Sequence, residues 1–415
     1  MLEKIKNNKS QIYSGLIALF FILILQFKLS YSLIPILLAL SGIALLVSDI
    51  KNNSYHLVKS DKWLIITFIC YFLLFVISFI VHKGKSSELE LVARALLALP
   101  ILAIFYKHQL KQLWIVYAIL IAGIGIGITS MVQVFGFNFI RPFPKVMHIQ
   151  AGDIAMSLAM FSFCTLFYFY TQKKRFAMYF SLIAALFAII ASFLTTARGA
   201  WVGVPFVLFI IFWLNRKSLS KWLISGVLLI TLTGGIFTSE TIHKRYLDAQ
   251  SDIMAYVDGS NKSTSVGARF DMWKSAVLGI QEKPIFGWGL QGVKEMRKQH
   301  FSEGKISEYA ASFGHAHNQY LHDASTRGII GLIALLATLF VPLALFWTRL
   351  KQSEPSSLPH LWGVLGITHI LLMMSYFLTQ AFLSHNSGAM FYFITTVIFL
   401  GLQKATLNKP LTETQ

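Results

Sequence analysis

The sequence predicts an all-α polytopic membrane protein with about 12 transmembrane helices and one long external loop that contains helices of its own. Three observations lead there. Of 415 residues, 55% are hydrophobic and only 13% charged, too little polar surface to coat a soluble globule of that size. Apolar stretches of about 17 to 25 residues recur along nearly the whole chain, and in lipid their backbone groups must bond within the segment, which selects helices. Lys and Arg also sort by alternate loops. The N-terminus, 49–62, 107–111, 171–175, 215–221, 349–360 and the C-terminal tail hold 18 of the 36, against 5 in the short loops between them. By the positive-inside rule both termini are cytoplasmic and residues 239–324 lie outside. The net charge of +18 is therefore mostly topology, and no nucleic-acid partner is implied.

The first apolar run, 12–29, follows Lys4, Lys6 and Lys9 and lacks a small-residue cleavage pattern, so it is expected to remain as an uncleaved anchor. Spans follow near 32–48, 63–81, 90–106, 113–135, 151–170, 176–194, 199–214 and 222–238. The last three are 325–348, 361–383 and 388–402. Cys70 and Cys164 fall inside spans and read as small apolar residues, not as a disulfide framework. The organisation is thus nine spans in 1–238, a loop domain in 239–324, three spans in 325–402 and a cytoplasmic tail in 403–415.

A loop of that length in a compact membrane protein is usually functional. SETIHKRYLDAQSDIMAYV has mixed helical periodicity, and GSNKSTSVG breaks it. ARFDMWKSAVLGIQ resumes as an amphipathic helix with Phe270, Trp273, Val277 and Ile280 on one stripe, and EKPIFGWGLQG reads as a tight turn.

Ionisable residues at span ends are candidate site residues because lipid makes them costly. Arg94, Asp153, Arg198 and His385 all fall in the outer half of the membrane, beside the long loop. Arg198 lies in TTARG, where Thr195, Thr196 and Gly199 suit close approach of an anion; the alternative is an arginine snorkelling to the surface. Arg269 opens the amphipathic helix, where its charge opposes the helix dipole unless an anion offsets it or Asp271 pairs with it. Two arginines can grip a diphosphate bidentately, with a geometry lysine lacks. Glu90 with Arg94, and Asp323 with Arg327, have the i, i+4 spacing of local ion pairs. Gly328 and Gly331 sit about one turn apart, where small residues permit close helix packing.

GHAHNQYLHDASTRGIIG, 314–331, places His315, His317 and His322 just before an apolar run. Their spacing is not the i, i+4 pair of a helical metal site, although a non-helical segment could still gather them, and a structural capping role is a second alternative. The third is general-base catalysis. A neutral imidazole, with an ordinary pKa of about 6.5, takes a proton from an attacking hydroxyl, and neighbouring arginines would keep it neutral. The membrane setting then points to a lipid-linked diphosphate sugar as donor.

On these residues the chain resembles the O-antigen ligase family, within the wider group that includes O-antigen polymerases. His317 and Asn318, nine residues, Gly328, two residues and Gly331 match its histidine signature; ARFDMWKSAVLGIQEKPIFGWG and TTARG are similar to its two arginine-bearing segments. The resemblance covers the chain well from about residue 100 onward. It implies a GT-C-like fold, His317 as base with His315 beside it, and Arg198 and Arg269 on the donor diphosphate; Asn318, His322, Arg94, Asp153 and His385 are further supporting candidates from the residues themselves. It also implies a metal-independent, inverting transfer that needs no cofactor. The donor would be O-antigen on undecaprenyl diphosphate and the acceptor lipid A-core, at the periplasmic face of the inner membrane among its lipids. A polymerase would use the same donor chemistry. A transporter would place polar groups near the midplane, often in inverted repeats, and the spans show neither.

Overall fold

The structure is a computed structural model that describes residues 2–27, 29–52, 61–218, 247, 250–258 and 264–407. Every regular element among them is helical. In chain order they are α1 (Leu2–Leu23), α2 (Ser30–Lys51), α3 (Lys62–Val81), α4 (Ser87–Ala98), α5 (Leu102–Lys107), α6 (Gln112–Met131), α7 (His148–Thr171) and α8 (Arg175–Leu194). Then come α9 (Gly199–Val202), α10 (Val204–Asn215), α11 (Ser265–Glu282), α12 (Gly289–Ser302), α13 (Glu308–Ala311), α14 (Gln319–Lys351), α15 (Leu358–Thr379) and α16 (Asn386–Leu407). Nine helices among the described residues are long and apolar enough to cross a membrane, with α4 and α5 joined as Ser87–Lys107 through a turn at Pro100. The chain is a multi-pass membrane protein. Of the remaining predicted spans, 12–29 corresponds to α1 and 199–214 to the shorter α9–α10 pair, while 222–238 lies outside the described residues.

Side-chain polarity sorts the helices into a centre and a lipid-facing ring. α16 carries Tyr392, Thr395, Thr396 and Gln403, all fully buried, and packs against α2, α4, α5, α7, α14 and α15. Protein, not lipid, surrounds it, which is what lets polar groups persist at that depth. α2 and α3 instead expose Leu33, Leu40, Ile69, Leu73 and Ile77 on their outer faces. At one end of the bundle a single carboxylate ties three helices together. Asp61, before α3, bonds Arg349 near the end of α14, Lys404 near the end of α16 (3.0 Å), and the Tyr106 hydroxyl. The histidines stand at the opposite end, where α14 begins.

α14 starts at Gln319, six residues ahead of the predicted span, and is broken at Gly328 (φ 67°, ψ −165°). Before the break, residues 322–328 are all buried. They are covered by a turn, Pro284–Trp288, that joins α11 to α12. The Ile329 N–H donates to the Pro284 carbonyl (2.8 Å) and the Trp288 N–H to the Ser325 carbonyl (3.0 Å). A Cβ at Gly328 would overlap the Ile285 carbonyl, and one at Gly287 (φ 66°) the backbone of Thr326 and Arg327. Gly328 therefore admits a turn, not a neighbouring helix as its spacing predicts. Gly331 makes room for the side chain of Arg327. Asp323 and Arg327 form the expected ion pair, and the Arg327 guanidinium lies 3.4 Å from the centroid of the Phe75 ring.

The predicted apolar stripe of α11 is corrected by the structure. Ala268, Met272, Ser275 and Ala276 face inward, whereas Phe270, Trp273 and Ile280 are half-buried and Val277 is 43% exposed. Small residues are inside because α12 lies close: a Cβ at Gly279 would overlap the Met296 sulfur. Gly328→Ala combines a glycine-only backbone conformation with a direct overlap. It is expected to destabilise docking of the α11–α12 unit by about 1–3 kcal/mol, measured as faster proteolysis between residues 259 and 313 while the membrane helices stay protected.

Candidate active site

Residues 314–318 are not helical, so His315 and His317 escape the facing rule that applies along a helix. His317 adopts a left-handed backbone (φ 48°). Its N–H donates to His315 Nδ1 (3.3 Å), and the two ring centroids are 4.3 Å apart. Asn318 ends the segment as the N-cap of α14, accepting from the Leu321 N–H (3.0 Å) and donating to the Leu378 carbonyl (3.2 Å). That bond fastens the histidine segment to the end of α15. Trp273 of α11 fastens it from the other side, donating to the Ala316 carbonyl (3.0 Å).

The group that sets the His317 ring is Gln380, fully buried at the C-cap of α15. Its Oε1 lies 2.8 Å from His317 Nδ1 and its Nε2 lies 3.1 Å from His385 Nε2. An amide oxygen only accepts, so Nδ1 carries the proton and Nε2 is left with its lone pair. An amide NH₂ only donates, so His385 Nε2 accepts. Burial pushes the His317 imidazole down to about 4; the Gln380 bond opposes this, and the charges of Arg269, His385 and Arg297 add to it. Burial pushes His315 down to about 3, with His317, His385 and Arg297 adding. The sequence expectation of a neutral imidazole rested on the arginines alone; burial is the larger cause.

Arg269 of α11 is half-buried, and its pKa is lowered first by burial and then by the charge of Arg198. Arg269 is thus coupled to Arg198 on one side and to His317 on the other. Arg198 is exposed at the N-cap of α9, and neither arginine has an acidic partner among the described residues. The alternative pairing of Arg269 with Asp271 does not form. Asp271 is buried and accepts from the Tyr256 hydroxyl (2.8 Å) and the Ser307 N–H (2.7 Å). Around Arg198, Thr195 turns inward to donate to the Ser192 carbonyl (2.7 Å), and Gly199 packs on Thr379, the residue before Gln380. Gly199 therefore seats the turn against α15, while Thr195 packs on Gly152 of α7.

Other sequence candidates fall around this centre. The His385 and His315 ring centroids are 5.8 Å apart, and His322, on the first turn of α14, stands 6.4 Å from His315 with Nδ1 unpartnered. Arg94 joins Glu90 (3.1 Å) and Asn386 (3.0 Å), which ties α4 to the start of α16 and keeps its guanidinium out of the arginine pair. Asp153 is fully buried on α7 with neither carboxylate oxygen hydrogen-bonded. Among the described residues no trio of His, Cys, Asp or Glu side chains is arranged to hold a metal ion.

Two residues were not visible to sequence reasoning. Gln380 is neutral, so a search for ionisable groups passes over it; a lone amide within the predicted span 361–383 is the signal it leaves. Arg297 of α12 is fully buried, donates to the Phe313 carbonyl and leaves Nε and Nη2 unpartnered, and burial lowers its pKa to about 10. Its charge acts on His315, His317 and His322.

The family model for O-antigen ligase matches residues 183–336. Over 389 residues the chain is 37% identical to a protein of Haemophilus influenzae described as uncharacterized, covering 93% of this chain and 96% of that one. Over 156 residues it is 28% identical to an O-antigen ligase of Escherichia coli, 37% of this chain and 36% of the other. The chain belongs to the O-antigen ligase family. The family match runs from α8 into α14 and includes Arg198, Arg269, Arg297 and His317. Membership of the O-antigen ligase family carries a role in O-antigen and lipopolysaccharide assembly, as a membrane-embedded enzyme.

With its pKa pushed down to about 4, chiefly by burial, the His317 imidazole is neutral around pH 7. Carbethoxylation of its imidazole, followed by mass spectrometry, should therefore hold its rate on acidification from neutral pH and fall only near pH 4. Removing a nearby cation in Arg297→Gln should move that limb up, toward the ordinary value of about 6.5.

Proposed function

We propose that this protein is an O-antigen ligase, transferring polysaccharide en bloc from undecaprenyl diphosphate to lipid A-core at the periplasmic face of the bacterial inner membrane, with both termini in the cytoplasm. The observation that carries this reading is the bare Nε2 of a neutral, half-buried imidazole under the charge of Arg269, which itself feels Arg198, neither arginine having an acidic partner among the described residues. Unpaired cations at a membrane surface are matched by an anionic ligand, and guanidinium forks fit the oxygens of a diphosphate. Nε2 is suited to accept the proton of an attacking hydroxyl.

The step balances as follows. The acceptor hydroxyl oxygen bonds the anomeric carbon while its proton passes to His317 Nε2. The bond from that carbon to the diphosphate oxygen breaks, and its electron pair leaves with undecaprenyl diphosphate. Arg198 and Arg269 receive the charge that grows on the leaving oxygens. The bond broken already holds the activation, so no nucleotide enters the step. Displacement from the side opposite the leaving group inverts the anomeric centre, and the base and guanidinium groups carry the chemistry without a metal.

The test is transfer by purified protein supplied with undecaprenyl-linked O-antigen and lipid A-core. His317→Ala should lower the rate by ~10²- to 10⁴-fold with folding intact; near-normal ligation would remove the base assignment. Arg269→Lys should still lose most activity because a point charge replaces a fork, and full activity would mean that charge alone suffices. A product in which one lipid-linked glycan extends another, with lipid A-core untouched, would make the protein a polymerase.

A further inference from the structure

A cavity of about 290 Å³ opens against the histidine segment, and neither arginine of the pair lines it. Its walls come from α3, α4, the start of α12, residues 314–315 and the first turns of α14. His315 and His322 line it, whereas His317, Arg198 and Arg269 do not. Two kinds of side chain meet there. Tyr71, Leu91 and Leu290 offer apolar surface, and the Tyr71 hydroxyl has no hydrogen-bond partner among the described residues. Gln291, Lys294 and Glu88 offer polar groups at the side formed by α12 and α4, where Gln291 donates to Glu88 (3.3 Å) and Lys294 is exposed, without an ion pair among the described residues.

The geometry points to this cavity as the subsite for the terminal sugar of the acceptor, an inference that rests on the transferase reading above. Apolar walls with a few convergent polar groups, at the small end of the roughly 300–1,000 Å³ typical of ligand pockets, suit one sugar unit better than a polymer. Its position decides between the two substrates. In a displacement with inversion the attacking hydroxyl and the leaving diphosphate stand on opposite sides of the anomeric carbon. The arginine pair marks the diphosphate side at His317. The acceptor must approach from another flank and still reach the imidazole, and the cavity ends on His315, whose ring is 4.3 Å from that of His317. Lys294 also suits the anionic groups of a core oligosaccharide, which a neutral sugar unit of the donor would not engage.

Leu290 and Lys294 have no part in the donor site, so they separate the two substrates. Core oligosaccharide, released from its lipid by mild acid, is titrated calorimetrically into full-length protein in nanodiscs. Binding to the wild type should weaken by roughly tenfold or more in Leu290→Trp, which fills the cavity, and in Lys294→Met, which removes the cation. Arg269→Ala should bind it as the wild type does. In turnover assays the same two variants should raise KM for lipid A-core and leave KM for the lipid-linked donor unchanged. The assignment is overturned if core oligosaccharide does not bind the wild type, if both cavity variants bind it equally well, or if the donor KM rises instead. Failure of the transferase reading would look different: no His317-dependent transfer with either acceptor, although the cavity still binds core oligosaccharide.

Discussion

The site exists because a turn, Pro284–Trp288, is docked onto a break in α14 at Gly328. The cations and the imidazole come from different layers. Arg269 and Arg297 belong to α11 and α12 outside the bundle, while Arg198, Gln380 and the histidine segment belong to the ends of membrane helices. A contact close enough to exchange backbone hydrogen bonds fixes one layer against the other, and two glycines with positive φ make that approach sterically possible. The ring of His82, at the end of α3, adds a third point, with Nε2 3.2 Å from the Phe286 carbonyl. Three membrane-side contacts thus hold the turn that carries both outer helices.

Electrostatically the site is set up for an anion that is absent from its own side chains. Arg269 feels the charge of Arg198, His317 feels those of Arg269 and Arg297, and among the described residues no carboxylate pairs with Arg198, Arg269 or Arg297. A buried cation such as Arg297 is costly left this way, and folding tolerates the cost where the rest of the structure over-determines the geometry. Here that support is the run His385, Gln380, His317, in which one amide fixes the proton positions of two imidazoles.

Much of this could be read from the chain. Span positions follow from apolar length, and the arginines and histidines announced themselves as charges where lipid disfavours charge. What stayed hidden depended on three-dimensional context. Gln380 matters through a hydrogen bond sixty-three residues distant, which no local pattern encodes. Arg297 sits on a helix whose other residues are mostly polar, so nothing marks it as buried. The α11 stripe failed for a physical reason: α12 lies so close at Gly279 that the inward face is made of Ala268, Ser275, Ala276 and the flexible Met272. Gly328 and Gly331 were legible as close-approach residues, yet the identity of the approaching group, a turn, was set by residues forty positions earlier.

The interior placement of α16 has a further consequence for how the enzyme experiences its bilayer. A change in hydrocarbon thickness acts first on helices that touch acyl chains, tilting or shifting them. α2 and α3 meet the lipid with broad Leu and Ile faces, whereas α16 is almost wholly enclosed by protein and α15 nearly so. Gln380 and His385 hang from those two enclosed helices. Mechanical disturbance from lipid composition therefore falls first on the outer ring, and the Gln380 amide that orients His317 is set back from it.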